Sequence, residues 1–203
     1  MLIKETVENT IVIQKSEFIT RLFRVNNTDE VNELLTQIRK KHYDAKHNCY
    51  AYILGDNMEI QKSSDDGEPQ KTAGMPMLDV LKKNNLTNIL AVTTRYFGGI
   101  LLGAGGLIRA YSSSVSEALK KASFCEMKLQ AKFALTISYT AYNTLLKVFN
   151  YIKIIDTSFQ SDIILTLTVD KDRIEDFKKD LYKYNINADS LTYLEDTKIL
   201  VEI

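Results

Sequence analysis

Glycine placement is the tightest constraint on this chain. Five of its eight glycines, Gly98, Gly99, Gly103, Gly105 and Gly106, stand together, and none follows Gly106. Glycine serves where a backbone takes positive φ or approaches another group closely. The stretch lies between a strand-like run and a helix-like run, so an unusual backbone, and with it the function, is expected at Arg95–Arg109.

The 203 residues suffice for one large domain or two small ones. A hydrophobic content of 45% and a charged content of 26% suit a globular protein. The first residues, Met1 to Val7, lack the basic and apolar regions of a signal peptide, and no apolar run approaches membrane-spanning length. Two cysteines, Cys49 and Cys125, are too few for a disulfide framework and read as free buried thiols. A cytoplasmic location is expected. The formal net charge is zero. Non-specific nucleic-acid binders usually carry a basic excess, and composition gives none here.

Residues 3–13 and 17–25 alternate apolar and polar side chains and predict two strands. Thr28 is the expected N-cap of a helix, with Asp29 and Glu30 in its first turn and Val31, Leu34, Leu35 and Ile38 as its stripe. Cys49 to Leu54 predicts a buried strand, followed by a turn at Gly55 and a shorter strand at 58–62. Residues 63–74 hold no large apolar side chain and read as a long polar loop. Pro76 opens a short helix with Met77, Val80 and Leu81 inward. Ile89 to Thr94 predicts a central strand, and a helix is expected over 105–122 with Leu107, Tyr111, Val115 and Leu119 on one face.

The remainder changes rhythm. Strand 129–138, helix 141–151, strands 154–160 and 162–169, helix 171–184 and strand 188–202 give β-α-β-β-α-β, the ferredoxin-like split pattern. Asp170 is the expected N-cap of the second helix, whose inward side is Ile174, Phe177, Leu181 and Tyr184. The expected fold class is α+β, with two two-layer domains at 1–126 and 127–203.

The glycine stretch fits no nucleotide motif. A dinucleotide fingerprint starting at Gly103 needs glycine where Ile108 stands, and P-loop spacing from Gly98 to Gly103 is followed by Ala104-Gly105 rather than Lys-Ser/Thr. What survives is a strand, a glycine-rich turn and a helix N-terminus, an arrangement that points N–H groups at an anion. Arg95 and Arg109 would add charge. Equally, the turn serves close packing, with the arginines paired to acids such as Asp65, Asp66 or Glu68. His42, His47 and Cys49 lack a second pair at metal-ligand spacing. Cys49 reads as a small buried hydrophobe, and His47 as a hydrogen-bonded polar neighbour of the site. Asp65, Asp66 and Glu68 either hold Mg²⁺ beside a phosphate or cap turns. No nucleophile, base and oxyanion site come together in Ser63, Ser64 or Ser112–Ser114. Neither a metal nor a cofactor is expected.

Three segments, Asp66-Gly-Glu-Pro69, Thr72-Ala-Gly-Met-Pro76 and Thr94 to Tyr111 through Arg-Tyr-Phe-Gly-Gly, resemble the signature of the YigZ/IMPACT family. His47-Asn-Cys49 with Ala51 matches the same pattern, and order and spacing agree over 15–122. One departure is Gln70-Lys71 before Thr72, where the family commonly has glycine directly before the threonine. The resemblance implies an N-terminal α/β sandwich similar to domain IV of elongation factor G, with a left-handed βαβ crossover of a rare kind. It also implies a ferredoxin-like C-terminal domain similar to the last domain of that factor. The family is associated with translational control. Its eukaryotic members act by protein binding on a stress-response kinase pathway, and its bacterial members have been proposed to bind nucleic acid or the ribosome.

The first expectation is therefore a non-enzymatic binding protein that meets RNA, the ribosome or a translation-related protein. Its site would comprise Arg95, Gly98, Gly99, Gly103, Gly105, Gly106 and Arg109, beside a surface loop of Asp65, Asp66, Glu68, Lys71 and Thr72. The alternative is a regulatory protein-interaction module without nucleic-acid contact. A third is a small-molecule enzyme using His47, Asp66 and Glu68.

Overall fold

The computed structural model describes residues 1–202. Two compact units divide at Glu126 and Met127.

The first unit contains strands β1 (Leu2–Ile3), β2 (Val7–Ile13) and β3 (Ser16–Arg24), helix α1 (Thr28–Lys41), then β4 (His47–Leu54) and β5 (Ile60–Ser64). Helix α2 (Gly74–Lys83), β6 (Ile89–Tyr96) and helix α3 (Gly103–Leu119) follow. The sheet order is β2-β3-β6-β4-β5. Both β3 and β4 run antiparallel to β6, so they are parallel to each other, and α1 carries the chain between them. The expected central strand is β6. Strand β1 pairs with Phe124 and Cys125 at the start of strand β7 (Phe124–Ile137).

This unit has helices on both faces of its sheet, which corrects the two-layer expectation. On one face Phe18, Leu22, Cys49, Ala51, Ile53 and Ala91 pack against Met77 and Leu81 of α2 and Tyr111 and Val115 of α3. On the other, Tyr52, Leu54, Leu90 and Val92 pack against Val31, Leu35 and Ile38 of α1. Alternate residues of β4 and β6 thus meet different helices, which explains their near-continuous apolar runs. The N-cap of α1 is Asn27, one residue before the expected Thr28; its side chain accepts from the Glu30 amide at 2.9 Å. None of the helices among the described residues is long and apolar enough to cross a membrane.

The second unit continues β7 into α4 (Tyr139–Val148), β8 (Lys153–Phe159), β9 (Ile163–Asp170), α5 (Ile174–Lys183) and β10 (Leu191–Glu202). Its sheet order is β10-β7-β9-β8. Alternate residues Phe133, Leu135, Ile163, Leu165 and Leu167 pack against Leu145 of α4, Phe149 just beyond it, and Phe177 and Leu181 of α5. Asp170 does not cap α5 with its side chain. A 3-10 turn at Lys171–Arg173 intervenes, and the Asp170 carboxylate instead accepts from Gln130 Nε2 at 2.5 Å.

Candidate functional site

Strand register builds the floor of the site. His47 of β4 lies opposite Arg95 of β6, which lies opposite Phe18 of β3. The next row on the same face is Cys49, Thr93 and Thr20, because side chains repeat every second residue. Tyr111 and Ser114 of α3 come down on these rows. Phe18 and Tyr111 meet edge to face at 5.2 Å, and Thr20 shares hydrogen bonds with Thr93 and Ser114. Ser114 is fully buried.

Arg95 is only 6% exposed. One terminal nitrogen donates to Glu68 Oε1 at 2.7 Å, and the other reaches Ser16 Oγ at 3.4 Å. Its guanidinium lies 5.5 Å from the ring centres of both Phe18 and Phe97. The same Glu68 oxygen accepts from the Tyr111 hydroxyl at 2.7 Å. Cys49 Sγ lies 3.3 Å from that hydroxyl and 2.9 Å from the Asp65 carbonyl oxygen. Burial pushes both the Tyr111 hydroxyl and the Cys49 thiol far up from their ordinary pKa values, so both stay protonated. The buried ion pair is thus extended by two neutral donors.

Cys49 should therefore resist thiol reagents in the native state at pH 8 and react once urea unfolds the unit. Rapid native labelling at Cys49 would contradict the buried arrangement. The sign for stability follows: the unfolded thiol ionises near pH ~8.5 while the folded one does not, so this contribution is complete below that pH and declines above it.

The polar loop between β5 and α2 is ordered by its own acids. Asp65 accepts from the amides of Lys71 at 2.7 Å, Ala73 at 3.0 Å and Gly74 at 2.8 Å, tying the loop to the start of α2. Asp66 accepts from the Asn48 amide at 2.7 Å and lies 3.6 Å from Arg39. Its carbonyl oxygen lies 2.9 Å from His47 Nδ1, which donates to it. Thr72 is buried and donates twice to the Pro69 carbonyl, at 3.1 Å from its amide and 2.6 Å from its hydroxyl. All three candidate acids are engaged within the unit. Among the described residues, no three His, Cys, Asp or Glu side chains group as a metal set.

Asp65→Ala leaves three amides without their charged acceptor. We expect a loss of about 2 kcal/mol, with faster hydrogen exchange at Lys71, Ala73 and Gly74. Unchanged exchange there would show that the loop holds its shape without Asp65. Lys71 has φ +60° and is exposed, so Lys71→Gly should stabilise by about 0.5–1 kcal/mol, read from the urea midpoint. A lowered midpoint would mean that the lysine side chain matters more than its backbone conformation.

The glycine stretch divides into two parts. Gly98 packs on the turn between β2 and β3, where a Cβ would stand 2.0 Å from the Lys15 carbonyl carbon. Gly99 and Gly103 have positive φ. Gly103, Gly105 and Gly106 lie in the first turn of α3, which begins two residues before the expected start. That helix end has neither a side-chain cap nor an acidic residue in its first turn. Arg109 is exposed and lies back along the helix, with one terminal nitrogen 3.6 Å from where a Gly105 Cβ would be.

A cavity of about 400 Å³ opens where the loop meets this helix end. His47, Gly67, Glu68 and Pro69 line one side, and Phe97, Leu101, Leu102, Gly103, Ala104 and Leu107 the other, with Lys46 and Arg95 contributing. Phe97, Ile100, Leu101 and Ile108 are exposed around this segment, and Leu101 is 85% exposed. The structure therefore brings His47, Glu68, Arg95 and Gly103 to one cavity. Asp65, Asp66, Thr72, Gly98, Gly99, Gly105, Gly106 and Arg109 are not among its lining residues, and Lys71 lines a different groove, between α2 and α3. Sequence reasoning placed Tyr111 in the core but missed its bond to Glu68. A tyrosine on a buried helix face is the signal, because its hydroxyl needs a partner. Lys46 was missed for lack of any motif, and Leu101, though inside the Thr94–Tyr111 signature, carries no polar chemistry to single it out.

The pattern of the Impact N-terminal domain matches residues 14–119 of the chain. The IMPACT family member YvyE of Bacillus subtilis is 54% identical over 138 residues, which are 68% of this chain and 64% of that protein. The match thus spans just under two thirds of that relative's length. The IMPACT family member YigZ of Escherichia coli is 33% identical over 189 residues, 91% of this chain and 92% of that protein. A solved structure described as a crystal structure of a hypothetical protein superposes with a TM-score of 0.60 at 31% identity, over 95% of both chains.

Proposed function

We propose a function from one premise: the chain belongs to the IMPACT family. It is a non-enzymatic binding protein working in translation or its regulation, the role with which the family resemblance associates it. Its contact face is the cavity and the apolar rim around it. The observation that carries this reading is the exposure of Phe97 and Leu101, which line an apolar-walled cavity, with exposed Ile100 between them in the chain. Clustered exposed apolar side chains mark interaction sites. The neighbouring acids and Arg95 are bound to one another or to backbone, which leaves them poorly suited to acid–base work. This geometry favours a protein partner.

A second reading, contact with RNA or the ribosome, is favoured by the uncapped start of α3 with Lys46 and Arg109 nearby. In that mode Arg95 shapes the site through Glu68 rather than meeting phosphate. On architecture, we propose domains at 1–126 and 127–203, the second ferredoxin-like and the first related to domain IV of elongation factor G. The strand order β10-β7-β9-β8 and the parallel β3–α1–β4 crossover support this.

The test places a photo-crosslinking amino acid at Leu101, with exposed Val12 of β2 as the control position. Ribonuclease-resistant adducts specific to position 101, sedimenting with ribosomal fractions, are expected. Adducts that collapse with ribonuclease would favour the RNA reading. Equal adducts at both positions would remove this face from the function.

A further inference from the structure

We propose that the cavity takes a linear segment of a partner protein in which a bulky apolar side chain stands beside an aspartate or glutamate. This rests on the reading of that face as a docking surface and names the chemistry that it selects. The apolar side chain enters between Phe97, Leu101, Leu102 and Leu107 on one wall and Pro69 on the other. A volume of about 400 Å³ accommodates one large side chain and its neighbours.

Charge complementarity selects the acid. The carboxylates of the cavity and its loop are already engaged within the unit: Glu68 with Arg95 and Tyr111, Asp66 with the Asn48 amide and Arg39, and Asp65 with three amides. The positive groups are not. Lys46 lines the cavity and Arg109 lies over the first turn of α3, and among the described residues neither has an ion-pair partner. Gly103 and Ala104, whose amides open a 17-residue helix, line the same cavity, with no side chain capping that end. A basic segment would meet Lys46 and find Glu68 already bound to Arg95 and Tyr111. An acid is the stronger partner for these amides, because the helix dipole adds to the hydrogen bond. His47, held in orientation by its Nδ1 bond to the Asp66 carbonyl, lines the same cavity.

The experiment pans a random dodecapeptide phage library on the full chain, with counter-selection on the Leu101→Asp variant. That residue is 85% exposed, so the variant is expected to fold, as circular dichroism would check. Enrichment of peptides pairing Leu, Ile, Met, Phe or Trp with an adjacent Asp or Glu is expected. The best such peptide, fluorescently labelled, should lose at least ~10-fold in affinity to Lys46→Glu and weaken as salt rises. Basic consensus peptides, no enrichment over the counter-selected pool, or unchanged affinity in Lys46→Glu would overturn the proposal. So would displacement of the face by a second copy of the chain, seen as self-association in sedimentation that Leu101→Asp abolishes. If crosslinks at position 101 persist while no acidic consensus emerges, the ligand chemistry falls and the docking face stands. If both fail, the face itself is wrong.

Discussion

Glu68→Ala should destabilise the first unit by about 3–5 kcal/mol, the largest effect expected from a single side chain near the cavity. The reason is what remains behind. Arg95 stays buried among Phe18, Phe97 and Ser16 with its charge uncompensated, and the Tyr111 hydroxyl loses its acceptor. Removing one member of a buried pair costs far more than the pair contributes. Arg95→Ala should be similarly damaging, for it strands Glu68. The paired change Arg95→Met with Glu68→Leu should recover most of the loss, since apolar groups of similar volume replace a buried pair at little cost. Urea midpoints for the four proteins decide this. If each single variant loses less than about 1 kcal/mol, the pair is hydrated in solution and Arg95 is available to an external anion after all.

Gly98→Ala should cost about 3 kcal/mol, at the upper end of ordinary overpacking penalties. The added methyl would stand 2.0 Å from the Lys15 carbonyl carbon and oxygen and 2.5 Å from the Ser16 nitrogen, so backbone must move. That movement would also disturb the bond from the Gly98 amide to Ser16 Oγ, 3.2 Å long, which links the glycine turn to the arginine cluster. Gly99→Ala meets no neighbour but has φ +85°, so about 1 kcal/mol is expected. Gly105→Ala has the opposite sign. It lies in helix with its nearest neighbour, the flexible Arg109 tip, at 3.6 Å, and alanine should stabilise by about 0.5–1 kcal/mol. Equal effects at all three positions would show that the glycines act through chain flexibility rather than through these separate geometries.

The fold was legible where periodicity is strong. Val31, Leu35 and Ile38, and Leu107, Tyr111 and Val115, pack as their spacing predicts. The second unit follows the expected element order for the same reason. Layering was misread because Tyr52 and Leu90 face a different helix from Ala51 and Ala91, and a strand buried on both sides carries no alternation to reveal it. At the site, the glycine cluster drew attention to a segment of which Gly103 lines the cavity. Its chemistry was less legible, because the pairing of Arg95 with Glu68 joins residues from a central strand and a distant loop, set by register rather than spacing. Nothing local distinguishes an arginine that ends in a buried bond from one that meets solvent.

The order of strands in the first sheet also constrains how this unit can be made. Its middle strand, β6, comes after both strands that flank it. A nascent chain ending before Ile89 presents β3 and β4 with their inner edges open, each offering a row of unpaired amides and carbonyls to any passing strand. The sheet can close only once β6 is available to pair with both. Such non-local pairing is slow relative to helix formation. The molecule is therefore exposed to misassembly early in its synthesis and protected late, and it should acquire protease resistance in a single step rather than gradually as the chain lengthens.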